Sequence, residues 1–421
     1  MASRGRRGHT ISKLTGNAHG RVCHGKPAPR KHRLAMNDTK TILGIVAHLA
    51  DDPAPFGLQG YYFDDMARLA ESEGVELFIF SPDQWQGERA EGFAWDVALA
   101  RWVPRRMDLP RLLYERLSSS SQPLKDSQER LRAHALATGR RLCVPLPMVE
   151  CLLDKPQFHD FLEGRRLPTL AALPVERLDE RSLEGLFAQA ERIYIKPRRG
   201  SRGKGIHLLL RGPEGTVLRT LDGDCPLGAE PWAELPRLLG HDSYFAQAEA
   251  RSFPLGGGGA FDLRALVQNP GDDRYQLTGM ALRQGPAGQW VSNLDAGGRG
   301  LDLEQAGDLL RQHLGIGPGE LAGQVEELCL RASRALHEAF GSFMEVAFDL
   351  LLTLDQGPVI LEGNTKPARW VFQTIAQDPE APAHLRARHA RARELAVRMP
   401  MRFARNVGGG EPTAGPRRPA P

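Results

Sequence analysis

The sequence predicts an N-terminal α/β domain followed by α+β lobes, and three observations carry that expectation. Thr41 to Leu49 (TILGIVAHL) reads as a buried strand, Tyr62 to Ser72 as a helix and Val75 to Phe80 (VELFIF) as a second strand, an α/β unit with parallel pairing. A later block, from near Ser243, offers successive antiparallel strands in FDLRALVQ, YQLTGMALRQ and Gln289 to Asn293. Two apolar runs over 343–363 then flank the turn Asp355-Gln356-Gly357, which reads as a hairpin. With 421 residues, 41% of them hydrophobic, there is room for two or three domains, each with its own core.

Taken in order, Pro110 to Leu117, a polar helix near 124–138 and a short strand Leu142 to Val144 complete a first domain over 37–150. It holds neither G-x-G-x-x-G after a strand nor G-x-x-x-x-G-K-[ST], so the ordinary nucleotide fingerprints are absent there. From 151 a helix (Pro156 to Gly164), a proline-bounded connector, strand Arg192 to Lys196, a glycine-rich loop and strand Ile206 to Leu210 define a lobe over 151–245. A second lobe spans 246–400, with helices near 302–313 and 318–340, the hairpin, and an Arg-rich helix at about 376–399. The Gly/Pro-rich stretch 401–421 reads as a disordered tail.

Charge narrows the function. The chain has 55 Lys and Arg against 51 Asp and Glu, but residues 1–35 hold nine of the basic residues and no acid. Removing those nine from 55 leaves 46 against 51, about −5, so the body is not a basic nucleic-acid-binding surface. The arm, 1–36, is open to three readings: a segment that binds RNA or an acidic surface, a disordered tail, or an upstream extension with the functional start at Met36. Its lack of an apolar run excludes a secretory signal peptide, and nowhere does the chain reach ~18 consecutive apolar residues, so no membrane partner is expected. Five scattered cysteines (Cys23, Cys143, Cys151, Cys225, Cys329) form no C-x-x-C pair, which argues against a disulfide framework or zinc ribbon and fits a reducing cytoplasm.

Three constellations could carry chemistry. In IYIKPRRGSRGKGIHLL (193–209) a strand ends at Lys196, and Gly200, Ser201, Gly203, Lys204 and Gly205 form a loop whose N–H groups can fold over an anion. Gly205 stands where a P-loop needs Ser or Thr for magnesium, so this is no P-loop. The plain alternative is a hairpin with solvated charges. Counting back from the turn in 343–364 sets Asp349 opposite Glu362 to within about one residue, with Asn364 on the same face as Glu362. Two facing carboxylates repel, so one takes a proton or a cation sits between them; an all-oxygen Asp, Glu and Asn set suits Mg²⁺ or Mn²⁺. The alternative is an acid at each strand end that faces solvent or pairs with Lys366 or Arg369. Between these lie Asp262 and Arg264, two apart on one face, with Arg283 and Asn293 on neighbouring strands. They form either a surface ion-pair ladder or a cleft in which Asp accepts from ribose and Arg neutralises phosphate.

In this order the segments resemble the ATP-grasp superfamily, above all the YheC/YheD type described as endospore-coat-associated, and next the RimK-type glutamate ligases and glutathione synthases. The matching stretches are LLDKPQFHDFL (152–162), IYIKPRRGSRGKGI (193–206), YFAQAEA (244–250), FDLRALVQ (261–268), LTGMALRQ (277–284), VSNLDAGG (291–298) and FDLLLTLDQGPVILEGNTKP (348–367). The N-terminal domain is similar to that type too, in ILGIVAHL, FGLQGYYFDDMARLAESEGVELFIFSP and RLLYERL.

The resemblance implies a two-lobed ATP-grasp fold and an ADP-forming ligase that joins a small-molecule or peptide carboxylate to an amine through an acyl-phosphate. It implies ATP and two Mg²⁺ or Mn²⁺ ions. Lys155 and Lys196 match lysines on the ATP phosphates, loop 200–205 the flap over them, and Gln247, Ala248 and Glu249 the hinge where adenine is read. Asp262 matches the ribose position. Arg264, Arg283 and Asn293 stand in the catalytic set, with Arg283 and Asn293 at the positions that stabilise the transferred phosphoryl group. Asp349, Glu362 and Asn364 match the metal ligands. The sequence departs from the RimK-like pattern at Val291-Ser292-Asn293, which loses an Arg, and at Leu294-Asp295-Ala296, where a histidine is common. The rival implications are an ATP-binding assembly protein without turnover and a kinase that stops at phosphoryl transfer. A homo-oligomer is compatible with either.

Overall fold

The computed structural model describes Lys40–Gly408, apart from residues 51–54, 118–120, 201–203, 221, 241–242, 254, 256–258, 288–291 and 293–296. The basic arm, Ser201, Gly203 and Asn293 therefore lie outside the described residues, as does the strand expected at Gln289 to Asn293.

The first sheet is built from β1 (Thr41–Val46), β2 (Val75–Gln86), β3 (Arg89–Asp96), β4 (Arg101–Asp108), β5 (Leu112–Glu115) and β6 (Arg141–Leu142), with α1 (Gly60–Ala70) after β1 and α2 (Gln122–Ala137) after β5. Its order is β4-β3-β2-β1-β5-β6, and β1 runs parallel to both β2 and β5. β1 is apolar on both faces, as a parallel strand covered on both sides must be. β3 and β4 were not foreseen: RAEGFAWD and RWVPRRMD are charged, and β4 tolerates Pro104 because it is an edge strand.

After α3 (Leu146–Leu153) and α4 (Lys155–Glu163) comes a second sheet, made of β7 (Leu173–Pro174), β8 (Arg192–Pro197), β9 (His207–Gly212), β10 (Gly215–Thr220), β11 (Gly223–Pro226) and β12 (Tyr244–Ala248). Helices α5 (Glu180–Phe187) and α6 (Pro231–Leu239) are interleaved with its strands. Its core is its own, with Leu183, Ile193, Ile195, Leu209, Leu218, Leu235 and Ala246 packed together.

The third sheet has the order β15-β14-β13-β16-β17, from β13 (Phe261–Gln268), β14 (Gln276–Gln284), β15 (Arg299–Leu301), β16 (Glu345–Thr353) and β17 (Gly357–Asn364). Between β15 and β16 lie α7 (Gly307–Leu314) and α8 (Pro318–Phe340); after β17 come α9 (Trp370–Gln377) and α10 (Ala383–Gly408). One face packs on α8, through Leu321, Val325, Leu328 and Leu336, and on α3 and α4 through Leu152, Phe158 and Leu162. The other packs Leu266, Ala281 and Ala347 against Val371, Phe372, Ile375 and Ala396. Among the described residues no helix is long and apolar enough to cross a membrane.

The C-terminal boundary read from sequence is corrected here. α10 continues past residue 400 to Gly408, and Val397, Met401, Phe403 and Ala404 are buried in the core of the first sheet with Leu43, Phe63 and Met66. Most of its arginines pair with acids of the body: Arg398, Arg402 and Arg405 surround Glu73, Arg393 reaches Asp65, and Arg388 bridges Asp302 and Glu304. A second buried seam joins the first and third sheets. Tyr114 donates to Glu345 at 2.5 Å, Arg369 pairs with the same carboxylate, and Arg116 donates to the Pro367 carbonyl at 3.1 Å.

Candidate functional site

The site begins at the start of α4. Asp154 caps the helix by accepting from the Gln157 N–H at 3.3 Å, Pro156 suits the first turn, and so Lys155 falls at the first helical position. The Lys155 N–H donates to the Arg198 carbonyl at 3.1 Å, which ties α4 to the end of β8. The Lys155 ammonium donates to the Gly200 carbonyl at 2.9 Å and lies 3.8 Å from Glu362. Arg198 is fixed by Asp154 at 3.0 Å and Glu176 at 3.0 Å. Lys204 is exposed. Gly205, at φ 73°, sits where a Cβ would come within 3.1 Å of Pro197.

Lys196, at the end of β8, donates to the Gln247 side chain on β12 at 2.7 Å. Burial lowers its pKa to about 8; Glu362 pulls it up, and Lys155 adds to the fall. Beside it His159 is buried neutral, its pKa brought down to about 3 by burial and by the charges of Lys196 and Lys155. His159 shares a short hydrogen bond with Thr169, which donates to the Ile360 carbonyl at 2.9 Å. Neither His159 nor Thr169 was singled out from sequence, because a lone histidine in a helix carries no motif. Ala248 closes β12. The Glu249 side chain is held by Arg192 at 2.7 Å, and its N–H donates to the Arg192 carbonyl at 2.9 Å, so both groups are already engaged.

The third sheet supplies the acidic side. The register sets Asp262 opposite Arg283, Arg264 opposite Asp349, and Asp349 opposite Glu362, with a bulge between Asp349 and Leu350. The ladder expected as one of two readings is present, but it is buried rather than on an open surface. Arg283 grips Asp262 at 2.6 and 2.5 Å and reaches Asp349 at 3.0 Å; Arg264 grips Asp349 with both nitrogens; Ser292 donates to Asp262 at 2.6 Å. Both Asp262 oxygens are therefore used. Burial would raise Asp349, but the Arg264 and Arg283 guanidiniums outweigh it and hold that carboxyl well below the usual range. Burial, and then the charge of Asp349, push Glu362 up to about 7. Asn364 donates to Asp349 at 3.3 Å and to Glu362 at 3.4 Å. Lys366 and Arg369, weighed from sequence as partners for these acids, turn elsewhere: Lys366 donates to the Leu117 carbonyl at 2.8 Å, and Arg369 pairs with Glu345.

Gly363, between Glu362 and Asn364, has no room for a side chain, since a Cβ there would stand 2.7 Å from Leu152 of α3. Glu362 and Asn364 consequently point away from α3. The acids and amide so presented make a donor set that a hard divalent cation fits: two carboxylates, one pushed up by the other, with an amide oxygen available on rotation of the Asn364 side chain.

Lys155 at the head of α4 and Lys196 at the end of β8, facing a guanidinium-supported Asp, Glu and Asn row on the third sheet, within an N-terminal α/β domain plus two lobes, define an ATP-grasp fold. Residues 148–395, more than half of the chain, match the YheC/D like ATP-grasp family, and the protein belongs to it. It is similar to the endospore coat-associated protein YheD of Bacillus subtilis (strain 168), at 25% identity over 337 residues, covering 76% of this chain and 70% of the relative. Among solved structures it is similar to the VanG D-Ala:D-Ser ligase from Enterococcus faecalis, with a TM-score of 0.50 and 12% identity over 86% of this chain and 99% of that one, a likeness of fold alone.

Proposed function

We propose that this protein binds magnesium-ATP between its second and third sheets and joins a carboxylate to an amine with release of ADP and phosphate. The observation that carries the reading is the convergence of Lys155, Lys196 and Glu362: three groups from three elements whose charges perturb one another. In this reading Lys155 and Lys196 neutralise the ATP phosphates. Asp349, Glu362 and Asn364 hold the magnesium, which when bound neutralises charge on the transferred phosphoryl group. Arg283, steadied by Asp262, stabilises charge at the acyl-phosphate. Arg264 acts by fixing Asp349. Asp262 then supports Arg283 rather than standing free for a ribose hydroxyl, and Glu249 offers adenine neither its carboxylate nor its N–H. In the chemistry so arranged, a substrate carboxylate oxygen attacks the γ-phosphorus in line as the bond to ADP breaks. The amine then displaces phosphate from the acyl carbon. No side chain forms a covalent intermediate, and the catalytic contribution is placement and charge neutralisation.

One observation favours a second reading, ATP binding without turnover in an assembly role: Asp349 already satisfies two guanidiniums, which weakens its claim on a metal. ADP release separates the readings. The ligase reading expects ADP formation that requires both a carboxylate and an amine and is lost in Glu362→Gln and Asp349→Asn. ADP formation with a carboxylate alone would indicate a kinase, and binding with no ADP under a broad acceptor screen would favour the assembly role.

A further inference from the structure

Away from the ATP cleft, the segment that follows α4 and the C-terminal half of α8 border a groove of about 250 Å³ lined by Arg165, Leu167, Arg331, Arg334, Ala335 and Glu338. We propose that this groove binds a small multivalent oxyanion of the phosphate or polycarboxylate class.

The α8 residues recur at intervals of three and four and so share one face of the helix. Arg165 is brought to that face by a specific turn. Its guanidinium lies 4.1 Å from the centroid of Phe161, and that ring stacks on Phe340 of α8 at 5.6 Å. The turn closes through Arg166, which takes the left-handed conformation at φ 53°, while the Leu167 N–H donates to the Leu162 carbonyl at 3.0 Å. This is the helix ending usually given to glycine, so an arginine there is held under strain. The result drops Leu167 into the floor and leaves Arg165 at the rim.

Three guanidiniums thus converge on one concavity, and among the described residues none of the three forms an ion pair. Glu338 forms none either. α10 behaves in the opposite way, with Arg388, Arg393 and Arg398 matched to acids. Compensation of the helix dipole does not account for the arrangement, because that effect fades within the last turn, and Arg331 and Arg334 stand well before the end of α8 at Phe340. Arg331 and Arg334 are exposed, as is Arg165 despite lying with one face over Phe161, and exposed guanidinium N–H groups are suited to bidentate capture of oxyanions. The volume is below the ~300–1,000 Å³ of drug-sized pockets, which selects a phosphate- or citrate-sized group and not a nucleotide. The nine-residue α4 separates Arg165 from Lys155 by roughly 14 Å of helix, so this is not part of the ATP cleft.

The test is isothermal titration of the full chain with pyrophosphate, inorganic phosphate and citrate, at matched ionic strength against chloride. Saturable binding is expected for the parent and for Lys196→Ala, at least about tenfold weaker in Arg331→Ala/Arg334→Ala. Glu338→Gln, which removes the one acid, should tighten it. The phosphate and citrate arms distinguish the two oxyanion chemistries. No saturable heat in the parent, binding kept by the double variant, binding lost in Lys196→Ala, or weaker binding in Glu338→Gln would each overturn the proposal.

Discussion

Asp349 and Glu362 face each other across one hairpin yet ionise in opposite directions, because two guanidiniums stand on one side of the pair and a single more distant lysine on the other. Removing Arg264 should therefore leave a buried carboxylate short of compensation. Arg264→Ala is expected to cost about 3 kcal/mol in urea unfolding, with part of the loss recovered in Arg264→Met/Asp349→Asn, where no charge is left unpaired. His159 gives a pH prediction. Its folded pKa, about 3, lies below its unfolded value near 6.5, so its contribution to stability is complete above pH 6.5 and is lost as pH falls toward 3. The parent should lose up to a few kcal/mol more than His159→Gln over that window, and equal acid sensitivity would refute a buried neutral imidazole. At this scale the facing of Asp349 and Glu362, with Asn364 near them, was legible because the hairpin turn sets it to within about one residue, and Lys196 because it stands near the end of an apolar strand; Lys155 came only from the family resemblance. The partners that retask Asp262 and Glu249 were not: Arg192 and Ser292 meet them only through the folded sheets.

Among the elements, the β16–β17 hairpin was legible to within about one residue, since two apolar runs flank a Gly-closed turn in which Gly357 takes φ 71°; the bulge between Asp349 and Leu350 was not. The edge strands β4 and β11 were not, because exposed strands carry charge and proline and lose the alternating pattern that reports a buried face. The close contact of α3 with β17 makes its own prediction. Gly363→Ala drives a methyl into Leu152 and should cost roughly 1–3 kcal/mol, with loss of ATP affinity as Glu362 and Asn364 shift. A Gly363→Ala protein with parental stability and affinity would show that the contact is loose.

For the whole molecule, the part least legible was α10, whose arginines resemble a charged surface helix while Met401 and Phe403 complete a core formed by residues some 340 positions earlier. Ending the chain after Pro400 removes a buried phenylalanine, a loss of the order of 3–5 kcal/mol from a domain stabilised by little more. Such a chain should be unfolded or strongly destabilised by circular dichroism, and a parental melting temperature would place the C-terminal boundary at 400 after all. The central claim, a magnesium-ATP site shared by two sheets, is most directly tested by thermal-shift titration of the full chain with Mg·ATP, Mg·GTP and ATP plus EDTA, alongside Lys196→Ala and Glu362→Ala. A ligand bound only by the folded state adds ~2.7 kcal/mol at a hundred times its dissociation constant, so the account requires a rise with Mg·ATP that EDTA diminishes and that either substitution removes. No rise in the parent, or an equal rise in both variants, would contradict it.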